Sequence, residues 1–228
     1  LRDSLRLGKA AAYGAALSAE VAAVTGTGQF ATFSGNHDMD RLATVAPDVA
    51  SLGLAAVLLF TTPGLPVVYY GEELGLPNGA ASGDLGKRLP MRWDQADGHG
   101  FTSAAAWEAD TADASVGSVA AQSSDPGSLL SLHRRLIRLR GAHATLRSGA
   151  TKRLTVDQPE LLAFARASDT DIIVVLANFG ATEIPLATPD LTEYGTLGGA
   201  EVLLGAPATA QTLPARGFQV ARYPRDVD

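Results

Sequence analysis

Two short apolar segments separated by one long apolar run constrain the fold of this chain most. Residues 29–33 and 67–70 are short and rich in aromatic and β-branched side chains, which is typical of strands. Residues 49–60 between them are rich in Ala and Leu, long enough for a buried helix and too short to cross a membrane. The order strand, helix, strand predicts a βαβ unit, whose two strands run parallel.

Polar side chains follow each of these predicted strands. Asn36, His37 and Asp38 come after the first strand, and Glu72 and Glu73 come after the second. A carboxylate at the end of a buried strand must be paired, hydrogen-bonded or open to a cleft. Strand ends of this kind hold the catalytic groups of (β/α)8 barrels. Asn and Asp are also common in turns, so these residues alone are compatible with either a turn or a site.

The segments on either side of this unit predict further helices. Apolar residues at helical spacing predict one helix over residues 1–24, which residues 25–28 would end. Asp125, Pro126 and Gly127 predict the start of another helix, and Gly141 its end. Residues 76–127 show little periodicity and predict a long functional loop or an insertion.

From residue 150 onward the pattern changes to short strands. The clearest are residues 161–166, 172–177 and 218–223, which are separated by clusters of Gly, Pro, Asp and Thr. Regular short strands with turn signals between them predict an antiparallel β-sandwich. We therefore expect two domains, residues 1–149 and residues 150–228.

Composition excludes several classes of partner and site. The chain has 228 residues, 46% of them hydrophobic and 18% charged, as expected for a globular protein with a substantial core. The net charge of −6 and the absence of a basic cluster predict no nucleic acid and no membrane as partners. With no cysteine, the chain has neither disulfides nor thiolate metal sites.

Three motifs together resemble the α-amylase family, glycoside hydrolase family thirteen. They are Phe33 to Asp38 with Arg41; Pro63 to Pro66 with Tyr69, Tyr70, Gly71 and Glu73; and Lys87 to Asp94 with Gly100, Phe101 and Thr102. The resemblance implies an α/β portion, the last β/α units of a (β/α)8 barrel with strands seven and eight, followed by an all-β C-terminal sandwich.

The resemblance also implies roles for single residues. Asp38 would be the carboxylate that stabilises an oxocarbenium-like transition state, and His37 would bind a sugar hydroxyl. Asn36 would hold the turn or contact the substrate, and Trp93 would either stack on a sugar or anchor its loop. Glu73 would be a structural hydrogen-bonding group beneath the site.

Arg41 has two interpretations. From the residues alone, we expect it to form an ion pair with Asp38 or Asp40 on the same turn. Some members of the family use the matching Arg to bind chloride, with other ligands from elsewhere in the barrel.

The family's nucleophile and acid/base lie on barrel strands four and five, and no segment here matches them. We therefore expect a C-terminal portion of a longer α-amylase-type retaining glycosidase that acts on starch or malto-oligosaccharides, inactive by itself. The alternatives are an oligo-α-glucosidase, half of a split enzyme, and a non-catalytic glucan-binding or structural module.

The same resemblance sets expectations for cofactors, partners and localisation. No cofactor is expected in this chain, and calcium would belong to the absent half of the barrel. The partners would be an α-glucan or malto-oligosaccharide and either that barrel half or a second copy covering the strand edges. Bacterial members of the family favour a secreted or periplasmic location, and a cytoplasmic one stays open.

Overall fold

The computed structural model describes residues 1–24, 28–109 and 116–225. The first part is mainly helical and includes one pair of short parallel strands, and the second part is an antiparallel sheet. One face of that sheet packs on the helices, and the other packs on a two-stranded sheet and on loops. The helical part and the large sheet therefore share a core.

The chain begins with two helices, α1 (Arg2–Leu7) and α2 (Ala11–Ala23). Gly8 ends α1 in the left-handed conformation, with φ of 67°, which favours glycine. The single helix predicted over residues 1–24 is therefore wrong, since Gly8 stops it after two turns. Helix α2 ends at Ala23, and residues 25–27 of the predicted stop signal lie outside the described residues.

The predicted βαβ unit is present. Strand β1 (Ala31–Thr32) is followed by the short helix α3 (Leu42–Val45), the long helix α4 (Val49–Thr61) and strand β2 (Leu65–Pro66). The two strands pair in parallel, which confirms the prediction from the order of the elements. Helix α4 matches the predicted apolar run to within one residue.

Helix α4 is buried on nearly every side, as its uniformly apolar sequence requires. Leu54, Val57 and Leu58 are fully buried in the core. The helix begins where Asp48 Oδ1 accepts a hydrogen bond from the backbone N–H of Ser51 at 2.7 Å. An N-cap of this kind stabilises a helix by about 1 kcal/mol.

The strands are shorter than predicted, and the second one begins earlier. The sequence predicts residues 29–33 and 67–70, whereas β2 starts within the expected breaker segment. Leu65 and Val67 donate their N–H groups to carbonyls on the β1 side at 2.9 and 2.8 Å. The missing N–H of Pro66 therefore falls on the opposite edge, where no bond to β1 is lost.

The long connection after β2 packs on the helices. Its described residues contain a short helix, α5 (Val119–Ser123), and three 3₁₀ turns, Glu72–Leu74, Leu85–Lys87 and Asp97–Gly100. Leu76, Leu89 and Val116 in this connection are buried against one another. Within the described residues it therefore has small apolar clusters of its own, although its sequence shows little periodicity.

Two helices complete the first part, α6 (Leu129–Ala142) and α7 (Ala144–Ser148). Ser128 Oγ caps α6 by accepting the N–H of Ser131 at 3.1 Å, so the predicted start at Pro126 is wrong. Asp125 and Pro126 form a turn ahead of this cap. Gly141 lies inside α6 and does not end it, because the chain turns only at His143, whose backbone is extended.

The second part is an antiparallel sheet of five strands with a smaller sheet beside it. The strands in chain order are β3 (Ala150–Arg153), β4 (Leu161–Ala167), β5 (Asp171–Asn178), β6 (Ile184–Pro185), β7 (Glu201–Gly205), β8 (Thr212–Leu213) and β9 (Phe218–Pro224). The large sheet has the order β3-β4-β5-β9-β7, and β6 pairs with β8. The three clearest strand predictions are thus confirmed to within one residue at each end.

Strands β4 and β5 are buried on both faces. Phe164 and Val175 point into the core that contains α4, while Ala163 and Leu176 point into a second core with β6 and β8. Alternate residues of a strand face opposite sides, so both layers are needed to cover it. Two strands of the second sheet lie within the described residues, and a full sandwich and a domain boundary at residue 149 stay predictions.

Candidate active site

Segments that follow β1 and β2 meet at one edge of the parallel pair. Ser34 Oγ donates a short hydrogen bond to Glu72 Oε1, and the N–H of Tyr69 donates to Glu72 Oε2 at 3.3 Å. Burial raises the pKa of Glu72, and the bonds from Ser34 and Tyr69 oppose that rise. Glu72 therefore ties the end of one strand to the segment that follows the other.

Asn36 organises the turn that carries the next two residues. Its Oδ1 accepts the N–H groups of Asp38 and Met39 at 2.9 and 3.1 Å. Asn is common in turns because its side chain can replace a backbone acceptor in this way. The turn presents His37 and Asp38 to solvent.

Two carboxylates and three basic side chains form a cluster at this turn. Asp38 Oδ2 lies 3.3 Å from His37 Nε2, and Asp38 Oδ1 lies 3.2 Å from Arg88 Nη2. The same Arg88 nitrogen lies 3.0 Å from Asp84 Oδ2. Lys87 Nζ donates to the backbone carbonyl of Asp38 at 2.8 Å. The loop after β2 therefore contacts the turn after β1 through Lys87 and Arg88.

The Asp38 carboxylate is positioned yet open. About 64% of its side chain is exposed, and about 62% of the neighbouring His37 side chain. A carboxylate that is fixed on one side and open on the other can accept hydroxyl groups or face a developing positive charge.

Arg41, three residues after Asp38, is buried and bonds to the loop after β2. Its Nη1 donates to the carbonyl of Tyr70 at 2.8 Å, and its Nε donates to the carbonyl of Lys87 at 2.9 Å. Its guanidinium lies 4.6 Å from the ring centre of Tyr69 and 4.8 Å from that of Tyr70. Burial lowers the pKa of Arg41, and the two tyrosines oppose this change.

The prediction that Arg41 forms an ion pair with Asp38 or Asp40 is wrong. Arg41 points inward, where backbone carbonyls and aromatic faces surround it, while both carboxylates lie on the exposed side of the turn. Arg41 Nη2 is buried without a hydrogen-bond partner in the described part of the chain. The chloride interpretation therefore stays open.

Glu73 lies near the Arg41 guanidinium. Glu72 and Glu73 do not continue the preceding strand in extended form but lie in the 3₁₀ turn Glu72–Leu74, because Gly71 turns the chain with φ of 82°. Burial raises the pKa of Glu73, while backbone N–H groups and the nearby Arg41 oppose the rise. Glu73 Oε2 has no hydrogen-bond partner within the described residues.

Trp93 belongs to a different part of the loop. Its backbone N–H donates to the carbonyl of His99 at 2.9 Å, and its carbonyl accepts the N–H of Ala120 at 2.9 Å. Its side chain is about half exposed. These bonds hold Trp93 within the second half of the loop and do not join it to the Asp38 turn.

Three contributors to the site, Glu72, Lys87 and Arg88, receive no role from the sequence alone. For Glu72, the available signal is Ser34, a possible partner at the end of the preceding strand. Lys87 and Arg88 belong to one of the family motifs, but their approach to Asp38 spans about fifty residues of chain. The adjacent basic pair was the available signal.

In the described ranges 1–24, 28–109 and 116–225, no group of three or more His, Asp or Glu side chains lies close enough to hold a metal ion. The calcium expected from the resemblance would lie in the earlier barrel strands, so no residue here is assigned to it. None of the described helices combines the length and apolar character needed to span a membrane.

Comparison with known proteins decides the family. Residues 5–149 match the family model described as alpha amylase, catalytic domain. The chain belongs to the α-amylase family. The alpha-amylase SusG of Bacteroides thetaiotaomicron is 32% identical over 197 residues, which cover 82% of this chain and 28% of SusG. An oligo-1,6-glucosidase of Halalkalibacterium halodurans is 27% identical over 183 residues, covering 63% of this chain and 33% of that protein.

The solved structure of the trehalulose synthase MutB from Pseudomonas mesoacidophila MX-45 shows the same fold. It superposes with a TM-score of 0.81 at 22% identity, covering 95% of this α-amylase family chain and 46% of MutB. The chain therefore spans less than half the length of the relatives it matches.

Proposed function

We propose that this chain is part of an enzyme that cleaves α-glucosidic bonds of starch or malto-oligosaccharides. Asp38 would be one of the side chains of its sugar-binding site. The observation that carries the proposal is the Asp38 carboxylate, fixed by Arg88 at 3.2 Å, flanked by His37 and open to solvent. It lies at the carboxyl edge of a parallel strand pair, where barrels of this class hold reacting groups. Two relatives are named as an alpha-amylase and an oligo-1,6-glucosidase, which supports an enzyme that acts on glucosidic bonds.

Asp38 would act through charge. Retaining glycosidases pass through an oxocarbenium-like transition state on either side of a glycosyl-enzyme intermediate. A preplaced carboxylate facing that positive charge stabilises it without reorganisation. Arg88 would hold the carboxylate in place before the sugar arrives, and the sugar's hydroxyls would take over part of its hydrogen bonding.

Other side chains would bind the sugar and shape the cleft. His37, exposed beside Asp38, would donate to a sugar hydroxyl, while Asn36 keeps the turn in shape. Trp93, in another part of the loop, offers an exposed aromatic face on which a more distant sugar unit could stack. Arg41 and Glu73 would support the floor of the site without touching the sugar.

The covalent step requires groups from outside this chain. A retaining mechanism needs one carboxylate as nucleophile and another as acid/base, and no segment of this sequence matches the family motifs for them. We propose that the remaining barrel strands supply both. They would pair with β1 and β2 and close the cleft over Asp38.

The test is turnover by the longer protein that contains this chain. It should release reducing sugar from soluble starch or maltoheptaose, or cleave isomaltose if its preference is for α-1,6 bonds. Proton NMR of the first product should show the α-anomer, as retention requires. Absence of turnover on all three substrates would contradict the proposal.

A non-catalytic glucan-binding module is the second candidate. The unmatched nucleophile and acid/base favour it. Saturable binding of maltoheptaose by the longer protein, with no release of reducing sugar, would establish this candidate instead of the enzyme.

A further inference from the structure

A cavity lies at the end of the parallel pair opposite the Asp38 turn. It has a volume of about 390 Å³ and is lined by residues that precede β1 and β2, by the junction of α7 with β3, and by Arg166. A water molecule occupies about 30 Å³, so the cavity has room for a small ion with several waters. It shares no lining residue with the Asp38 cluster.

Arg147 and Arg166 line this cavity, and Arg140, which does not line it, binds the same helix end. The fully buried Arg166 donates to the carbonyls of Thr61, Leu146 and Gly149 at 2.8 to 2.9 Å. Arg140 donates to carbonyls at the same end of α4, and Arg147 donates to the carbonyl of Arg140 at 3.0 Å. Positive charge is therefore concentrated at the carboxyl end of α4.

This charge is only partly compensated. Among the described residues, no carboxylate lines the cavity or forms an ion pair with Arg140, Arg147 or Arg166. The carboxyl end of a helix carries about half a negative charge, which is less than the charge of two buried guanidinium groups. Burial, with the neighbouring Arg140, lowers the pKa of Arg166 to about 10, so it stays charged at neutral pH.

Two polar atoms of residues that line the cavity lack partners. Thr151 and Arg166 are paired across strands β3 and β4, so their side chains share one face of the sheet. Arg166 Nε and Thr151 Oγ1 are buried without a hydrogen bond to any described residue. Buried donors are rarely left unsatisfied, since each then loses its hydrogen bond to water. Both residues line the same cavity.

Stabilisation of α4 explains only part of this arrangement. It accounts for Arg140 and for the terminal nitrogens of Arg166, which bind the helix carbonyls. It leaves Arg166 Nε, Thr151 Oγ1 and the excess positive charge without a role. A bound anion would use all three.

We propose that this cavity binds a tetrahedral oxyanion, either inorganic phosphate or the phosphate group of a phosphorylated sugar. Arg166 Nε and Thr151 Oγ1 would donate to its oxygens, and Arg147 at the rim would supply further charge. Several acceptor oxygens on one small anion match donors that approach from different strands and helices. The site is separate from the Asp38 cluster and does not depend on the function proposed for that cluster.

The test is calorimetric titration of the chain with phosphate and with glucose 6-phosphate, at ionic strength held constant with KCl. Thr151→Val keeps the side-chain shape and removes the donor, and Arg147→Gln removes an exposed charge at the rim. Arg135→Gln is the matched control, since it makes the same charge change on the exposed side of α6 and does not line the cavity. Circular dichroism checks that each variant folds.

We expect saturable phosphate binding that Thr151→Val and Arg147→Gln each weaken by roughly tenfold, while Arg135→Gln leaves it unchanged. Tighter binding of glucose 6-phosphate than of phosphate would identify a phosphorylated sugar as the ligand, and the reverse order would identify the free ion. Either a lack of saturable binding to both anions or equal affinities in all variants would overturn the proposal.

Discussion

Arg88 Nη2 lies 3.2 Å from Asp38 Oδ1 and 3.0 Å from Asp84 Oδ2. One guanidinium nitrogen therefore binds two carboxylates that come from different segments of the chain. Asp38 follows strand β1, whereas Asp84 lies four residues before Arg88 in the same loop. The two carboxylates share a partner and a similar exposure, at 64% and 56%. They therefore offer a matched pair for separating a role in the site from a role in holding the loop.

The isolated chain should show little or no glycosidase activity. Asp38 can stabilise charge, but it cannot replace both a nucleophile and a group that protonates the leaving oxygen. Release of reducing sugar from soluble starch and of nitrophenol from a nitrophenyl α-glucoside measures this. Robust turnover that a single Asp or Glu substitution in this chain abolishes would show that the catalytic pair is here after all.

Arg41→Lys should lower the free energy of unfolding by about 1–3 kcal/mol. A lysine cannot reproduce both hydrogen bonds to the carbonyls of Tyr70 and Lys87 or the planar contact with Tyr69. Urea unfolding measures the change. Arg6→Lys at an exposed position is the control and should change stability by less than about 0.5 kcal/mol. Equal losses of unfolding free energy in both variants would contradict a stabilising role for the buried contacts of Arg41.

The half-buried Glu72 should make a contribution to stability that falls as pH rises. Because burial raises its pKa in the folded state above the unfolded value of about 4.3, the folded chain binds its proton more tightly. The contribution is present below the unfolded pKa and is lost as pH rises through the folded pKa. Glu72→Gln can still accept the N–H of Tyr69 through its amide oxygen, and its amide nitrogen can donate to Ser34 Oγ. Because it carries no charge, it should gain stability relative to the wild type as pH rises from about 4 to 7.

Urea unfolding at several pH values measures this difference. Glu183→Gln, at an exposed position, is the matched control and should track the wild type at every pH. A constant difference between wild type and Glu72→Gln across the range would show that Glu72 titrates alike in the folded and unfolded states.

The exposed side of the parallel pair should drive self-association of the isolated chain. Phe33, Leu65 and Val67 are each about half exposed, and in the described residues β1 and β2 pair only with each other. Apolar strand edges of this kind pair readily with other chains. Light scattering should show mass increasing with concentration, and Val67→Lys should reduce the increase more than Val49→Lys, which adds the same charge on α4. A monomer at high concentration would contradict this expectation.

The sequence predicts best where the pattern of a segment depends on that segment alone. Helix α4 is apolar throughout, and β4, β5 and β9 are continuous apolar strands, so their bounds are recovered to within one residue. The parallel pairing of β1 with β2 follows from the helix between them.

Predictions fail where a distant partner or one backbone angle decides the outcome. Gly8 divides the first helix, and bonding to β1 shifts β2 onto Leu65 and Pro66. The tyrosines and carbonyls that draw Arg41 inward come from a loop about thirty to fifty residues later. The turn at Asn36 is readable from its residue types, whereas the approach of Arg88 to Asp38 depends on how the loop folds back.

The most direct measurement of the central claim is kcat of the longer protein carrying Asp38→Asn, compared with the same protein carrying Asp84→Asn. Both substitutions remove a carboxylate that binds Arg88, and both are nearly isosteric. We predict that Asp38→Asn lowers kcat on malto-oligosaccharides by roughly 10²–10³-fold, the loss typical of one preorganised electrostatic group, while Asp84→Asn changes it by less than about threefold. The midpoint temperature of thermal unfolding should change little in either variant. If the Asp38→Asn protein keeps more than about half of its kcat, or if the two variants lose activity equally, then Asp38 serves the turn and not the reaction.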